Sequence, residues 1–454
     1  MFRSAMQDLD GWLARRERQP LIVRGARQVG KTWLVRNLAS RHGLDLVECN
    51  FERSPGLARC FESRDPRTVL GELSLALGRR VERAGTLLFL DEIQAAGDVL
   101  AGLRWFAEEM PDLPVVAAGS LLEFTLGDHR FSMPVGRVSY LHLEPLTFSE
   151  FLLAHGQESL HEVLLAWSPG TPVGDVAHDM AGRWFARYAM VGGMPAVVRA
   201  DVESDDPLEV RRRQHDLVAT YRDDFGKYAG RNDPQVLDAV LLSVAKQLGS
   251  KFVYSHVAEG MRHASARTAL ELLTRARVCH LVQHTAANGI PLGGEIKPRN
   301  RKVVLLDVGL AQSLLGMPAS QVFPDVADLA PALRGALIEQ LVGQQLRTTF
   351  PSWEEPRLYY WQRGAGRPGE VDFVVQVDAR VVPVEAKAGA AGAMKSLHQF
   401  MYDKHLDVAV RCDTNPPSLQ DVNVRTTKGD AVRYQLISLP HYLVWRLPSA
   451  VRGA

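Results

Sequence analysis

Gly25-Ala26-Arg27-Gln28-Val29-Gly30-Lys31-Thr32 places two glycines, a lysine and a hydroxyl in the spacing G-x4-G-K-[ST]. That set suits phosphate. Glycines let the backbone curl until its N–H groups face phosphate oxygens. Lys31 can reach the β- and γ-phosphates, Thr32 can offer its hydroxyl to Mg²⁺, and the N-terminus of a following helix adds a positive dipole. An apolar run, Leu87-Leu88-Phe89-Leu90, ends in Asp91-Glu92. Alone, that run reads as a buried strand ending in solvated acids. Beside a phosphate loop, Asp91 is suited to support Mg²⁺ and Glu92 to polarise an attacking water. The expected chemistry is hydrolysis of ATP to ADP and phosphate, with Mg²⁺ as cofactor.

A second set lies near the C-terminus, where Glu370-Val371-Asp372-Phe373 precedes Val384-Glu385-Ala386-Lys387. The strand period of two puts Glu385 and Lys387 on one face. Two carboxylates could hold Mg²⁺ against a scissile phosphate, and a lysine could stabilise the transition state. So short a pattern also arises in domains whose acids are only solvated, and both readings stay open. A third set is basic. Ser265 to Arg275 reads as a helix, and Arg262, Arg267, Arg275 and Arg277 give it the charge for contacts with a DNA backbone. A solvated basic face is the plainer alternative.

These residues need elements to hold them. Strand candidates are Leu21-Ile22-Val23, Leu44 to Cys49, Thr86 to Leu90, Val115 to Ala118 and Val138 to Leu143, with helical stretches between. Strands alternating with helices imply a parallel sheet covered on both faces. Thr147-Phe148-Ser149-Glu150 reads as a capping box opening a mostly helical region, broken at Gly192-Gly193-Met194-Pro195. Residues 235–285 read as short helices, with Val253 to Ala258 opening a positioning helix, and 286–300 as a turn or a β-wing. A helix from Leu333 to about Thr348 is followed by strands at Leu358 to Gln362, Glu370 to Val377 and Val381 to Ala386. Asp307 reads as a helix cap, and Tyr359, Tyr360 and Trp361 as core.

The chain has 454 residues, 46% apolar and 23% charged, with a net charge of +1, so two or three folded domains are expected and global charge names no partner. The four cysteines have no paired spacing, which argues against a disulfide framework or a zinc site. No apolar leader and no run long enough to cross a bilayer appears; a cytoplasmic protein without membrane contact is expected.

The first ~150 residues resemble the AAA-type branch of P-loop ATPases. The resemblance implies that Ser120, after the fourth strand, senses the γ-phosphate. It also implies that Arg137, just before the fifth, reaches a neighbouring subunit's nucleotide, with Arg130 a weaker competitor, so a homo-oligomer is expected. The whole chain is similar to a group of bacterial and archaeal ATPases with a C-terminal domain of unknown function. The match rests on Gly136-Arg137-Val138, Leu143-Glu144-Pro145-Leu146-Thr147-Phe148-Ser149-Glu150-Phe151, Gly192 to Pro195, Leu306-Asp307-Val308-Gly309-Leu310 and Glu370 to Phe373. It implies a winged-helix-like middle. The C-terminal pattern resembles the restriction-endonuclease-like fold, in which Glu339 would add an acid from a preceding helix and Gln399 a polar group from the following one. The expected architecture is α/β: an ATPase core over 1–145, a helical lid over 146–230, a winged-helix-like domain over 231–300 and a nuclease-like domain over 301–454. ATP would drive DNA binding or processing; the alternative is an ATP-dependent scaffold whose silent C-terminal domain docks a protein partner.

Overall fold

The computed structural model describes residues 2–120, 122, 136–228, 233–317, 331–364, 369–390 and 392–454. The five expected N-terminal strands form: β1 (Leu21–Arg24), β2 (Asp45–Asn50), β3 (Thr86–Asp91), β4 (Val115–Ala118) and β5 (Ser139–His142). They make one parallel sheet in the order β2-β3-β4-β1-β5. β3 and β4 read as unbroken apolar runs because the sheet is covered on both faces. Alternation splits their side chains between two cores. Val23, Phe89 and Val116 face α1 (Ala5–Leu13) and α2 (Lys31–Arg41). Ile22, Leu88 and Val115 face α3 (Pro66–Leu77) and α4 (Gly97–Glu109). Each such buried side chain contributes about 1.5–3 kcal/mol relative to exposure.

The capping box forms as expected. The Glu150 N–H donates to Thr147 Oγ1 (3.1 Å) and the Thr147 N–H to Glu150 Oε2 (3.0 Å), opening α5 (Phe148–Ala154). Helices α6 (Glu158–Ala166), α7 (Asp175–Val191), α8 (Pro195–Ser204) and α9 (Pro207–Tyr228) follow. α7 ends at Gly192, whose φ of +79° favours glycine. At Gly193 a Cβ would stand 2.2 Å from the Leu146 carbonyl oxygen. The pair lets α7 turn sharply into α8 against the chain leaving the five-stranded sheet at Leu146.

The middle departs from expectation in three places. Between α10 (Pro234–Lys246) and α11 (His263–Arg275), Val253 to Ala258 contains only a single 3₁₀ turn, Tyr254–His256, instead of opening a helix. The Val253 N–H donates to the Gln247 side chain (2.8 Å) rather than into a helical ladder, and Gly260 at φ +75° breaks the chain soon after. Arg277 is buried and paired with Glu355 and His142, so its charge is not offered to solvent. Cys279–Thr285 is a strand, β6, not the end of a helical stretch.

β6 and β7 (Ile296–Leu305) form a hairpin, and the stretch 286–300, expected as a turn or a β-wing, supplies its connection and the start of β7. The hairpin continues into a larger sheet. β8 (Leu358–Gln362), β9 (Glu370–Val377) and β10 (Arg380–Ala386) form as expected, and β11 (Val408–Asp413), β12 (Ser418–Arg425) and β13 (Ala431–Pro440) are added. The order is β12-β13-β11-β10-β9-β8-β6-β7, with β6 running parallel to β8 through Val282↔Leu358. The sheet thus crosses residue 300. α12 (Val308–Leu314), α13 (Pro331–Arg347) and α14 (Lys395–Lys404) accompany it. Tyr359, Tyr360 and Trp361 are core residues. Among the described residues no helix is long and apolar enough to cross a membrane.

Candidate nucleotide site and C-terminal carboxylate cluster

β1 delivers the chain into Gly25 to Thr32, and α2 begins at Lys31. Gly30 sits at φ +98° and Gln28 at φ +65°, the curl that turns successive N–H groups inward. Gly25 packs where a Cβ would meet the Leu143 carbonyl oxygen at 2.5 Å. Ala26 and Val29 are buried and anchor the loop from below. Lys31 is buried, and its ammonium donates to the carbonyls of Gly25 (3.0 Å) and Ala26 (2.8 Å). Burial lowers its pKa to about 8, against the pull of Glu92 and Asp91.

The strand order explains the rest. β4 lies between β1 and β3, so Ser120, just past β4, stands between the phosphate loop and the acid pair ending β3. Thr32 Oγ1 donates to Asp91 Oδ2 (3.4 Å), as does Asn50 Nδ2 (3.2 Å). Burial, with Glu92 and Glu48 near, raises the Asp91 carboxyl. Glu92 is left-handed at φ +50°; its Oε2 accepts from Gln94 Nε2 (2.6 Å) and from the Ser120 N–H and hydroxyl (3.3 Å each). Lys31, Thr32, Asp91, Glu92 and Ser120 line one cavity of about 430 Å³, together with Arg3 and with Pro195 and Arg199 of α8. The donor set fits a nucleoside triphosphate and its magnesium: N–H groups and an ammonium for phosphate, a hydroxyl and a carboxylate for the metal.

Arg27 of the loop lines the same cavity and reaches α9. It pairs with both oxygens of Asp224 on α9 (2.9 and 2.8 Å), and the Tyr221 hydroxyl donates to its carbonyl (2.7 Å). Arg137 is half exposed and paired with Glu108 (2.8 Å). It precedes β5, whose Ser139 aligns with Leu21, so it lies at the sheet end opposite the phosphate loop. Arg130 lies outside the described residues. Arg3, Asn50, Gln94 and Arg199 carry no spacing signal in the sequence and arrive at the site through the fold.

Two buried carboxylates join this domain to the rest. Asp307 caps α12, accepting from the Gly309 N–H (2.8 Å), and its other oxygen accepts from the Gly193 N–H (2.6 Å) and from Gln344 of α13 (3.0 Å). Glu144, just after β5, pairs with Arg347 of α13 (2.7 and 3.2 Å). Burial alone would raise its carboxyl, but the Arg347 guanidinium outweighs burial and holds it at about 2.

In the C-terminal sheet, Glu339 of α13 and Asp372 of β9 converge as the sequence suggested, but on a cation it did not suggest. The Lys302 ammonium, on β7, lies 2.7 Å from Glu339, 2.5 Å from Glu370 and 3.9 Å from Asp372, with its side chain 2% exposed. It also lies 5.5 Å from the centre of the Tyr360 ring. Lys387 pairs with Glu385 (2.5 Å), and the Ala386 N–H donates to Asp372 (2.8 Å). Gln399 is buried and donates to Asp403 (2.8 Å) rather than to the cluster. Burial pushes the Glu339 carboxyl up to about 7, against Lys302; burial and Asp372 push Glu385 to about 7. Among the described residues no three His, Cys, Asp or Glu side chains are arranged to hold a metal ion. As placed, the cluster does not fit one. Arg262, just before α11, and Arg267 and Arg275 on it are exposed, while Ala266, Ala269, Leu270 and Leu273 face the core.

Residues 17–152 match the family model of an AAA domain. The parallel five-stranded sheet formed by these residues matches a P-loop NTPase fold. Residues 182–321 and 334–431 match two domains of unknown function, DUF8612 and DUF4143. No curated protein matches the chain in sequence. Among solved structures, the chain is similar to a Walker-type ATPase of Pyrococcus abyssi (14% identity, 69% of this chain and 95% of that one, TM-score 0.43). It is also similar to a signal transduction ATPase with a tetratricopeptide repeat sensor from Pyrococcus horikoshii (11% identity, 77% and 46%, TM-score 0.26). A DNA replication initiation factor aligns as well (13% identity, 60% and 86%, TM-score 0.24).

Proposed function

We propose that the chain binds ATP with Mg²⁺ and hydrolyses it to ADP and phosphate. The observation that carries this is the buried Lys31 ammonium in a curled loop, sharing one cavity with Asp91, Glu92 and Ser120. Lys31 and the loop N–H groups hold the phosphates, and Thr32 and Asp91 are the metal-side groups. Glu92 orients and deprotonates water once the incoming phosphate draws Ser120 away from it. Magnesium, when bound, neutralises charge on the transferring group. Arg137, facing away from its own chain's site, would complete a neighbour's, which makes the proposed enzyme a homo-oligomer. Lys31→Ala is expected to abolish nucleotide binding and turnover; turnover at the wild-type rate in that variant would sink the assignment.

The proposed output is binding to a DNA backbone through Arg262, Arg267 and Arg275 on the winged-helix-like segment. Replacing any one of these arginines by alanine should flatten the dependence of log affinity on log salt by about 0.9. The second reading is an ATP-dependent scaffold whose C-terminal domain docks a protein and cuts nothing. The observation favouring it is Lys302 among the C-terminal carboxylates.

A further inference from the structure

We propose that the Lys302 ammonium is the resident cation of the C-terminal carboxylate cluster and excludes divalent metal from it. Glu339, Glu370 and Asp372 come from one helix and one strand, yet all three turn toward a single ammonium. A magnesium or manganese ion sharing those oxygens would bind at about 2.1 Å from each. It would then stand against a like charge in a poorly screened interior, where such approaches are strongly disfavoured.

The lysine is not a surface chain that could swing out. Lys302 sits in the middle of β7, its backbone registered to Val282 of β6 and bridged on the other side by Lys251. The neighbouring Arg301 carbonyl accepts from the Phe252 N–H (2.9 Å). The Lys302 side chain is buried, and its ammonium lies over the Tyr360 ring, 5.5 Å from the centroid. Withdrawing the ammonium requires moving the hairpin that joins the middle segment to the sheet. Glu385, with one buried oxygen lacking a hydrogen-bond partner, is aligned by Lys387 alone and cannot gather a metal site by itself. The domain therefore keeps acids in a nuclease-like pattern while its own lysine fills the position between them.

The test is a Mn²⁺ titration of the nucleotide-free full chain, with free ion read by electron paramagnetic resonance. Wild-type protein and Asp372→Asn are expected to bind the same number of ions. Lys302→Met is expected to bind one more ion per chain, and adding Asp372→Asn in that background should remove it. Lys302→Gln, whose amide still donates to the carboxylates, is expected to show the same gain and serves where the methionine variant fails to fold. A wild-type ion that Asp372→Asn removes would overturn the proposal without any change at Lys302. So would a folded Lys302 variant with no added ion. Nucleotide is absent throughout, so failure here leaves the ATP reading separately testable.

Discussion

Arg347→Met should destabilise the chain by about 3 kcal/mol at pH 7, and by less as the pH falls. Arg347 holds both oxygens of the buried Glu144 and also donates to the Pro356 carbonyl (3.1 Å). The span from an ordinary 4.5 down to about 2 corresponds to about 3 kcal/mol at roughly 1.4 kcal/mol per decade of proton affinity. Removing one partner of a buried ion pair typically costs about 3–5 kcal/mol, because the remaining charge has lost its counter-ion. A carboxyl held low adds stability that is present above its ordinary value and is lost as pH falls through 4.5 toward 2. In the variant, burial prevails and raises Glu144, so protonation relieves it as the pH drops. Urea midpoints at pH 7 and pH 4.5 should therefore show a large gap and a smaller one. Glu144→Gln combined with Arg347→Met should recover much of the loss, since neither charge is then stranded. A loss under about 0.5 kcal/mol, or an equal loss at both pH values, would refute the reasoning.

Lys31, at about 8, is mostly charged at pH 7, and phosphate favours the charged form. Nucleotide affinity should therefore be flat below pH 8 and about tenfold weaker at pH 9, as measured by fluorescent-nucleotide titration; a lysine whose charge is not used would show no such fall. Glu92→Gln should keep nucleotide affinity while lowering kcat by about 10²–10⁴, seen in single-turnover phosphate release. Gly193→Ala should cost about 3 kcal/mol or more in thermal or urea unfolding, because the obstacle 2.2 Å from its Cβ is the Leu146 backbone rather than a side chain.

The N-terminal five-stranded sheet is legible in the sequence because short strands buried on both faces announce themselves as apolar runs. Leu87 to Leu90 ending in two acids acquires a single meaning once the glycine loop stands upstream of it. Asp307 as a cap, and the capping box at Thr147 and Glu150, are legible because they are local. What the sequence hides is non-local or edge-like. β12, Ser418-Leu419-Gln420-Asp421-Val422-Asn423-Val424-Arg425, is half polar because it lies at the sheet edge with much of its surface in solvent. Lys302 carries no spacing signal in the sequence. Only the folding of β7 beside β6 carries it to acids on α13 and β9, and no spacing rule links those positions. Arg277 misleads for the same reason in reverse: its helix-like neighbourhood suggests exposure, while the fold buries it against His142 and Glu355.

The parallel pairing of β6 with β8 bears on how force could pass through the molecule. Three consecutive residue pairs, Val282↔Leu358, Gln283↔Tyr359 and His284↔Tyr360, stitch the hairpin behind α11 to the C-terminal strands. Mechanically, α11 and the C-terminal sheet then behave as a single lever arm, because prying them apart means unzipping a ladder. Slack in the chain has to reside elsewhere, at joints made without a strand ladder. The clasp of Arg27 by Asp224 and Tyr221, which sits directly on the phosphate loop, is one such joint. A movement that began at the phosphate loop would meet α9 first, through that clasp.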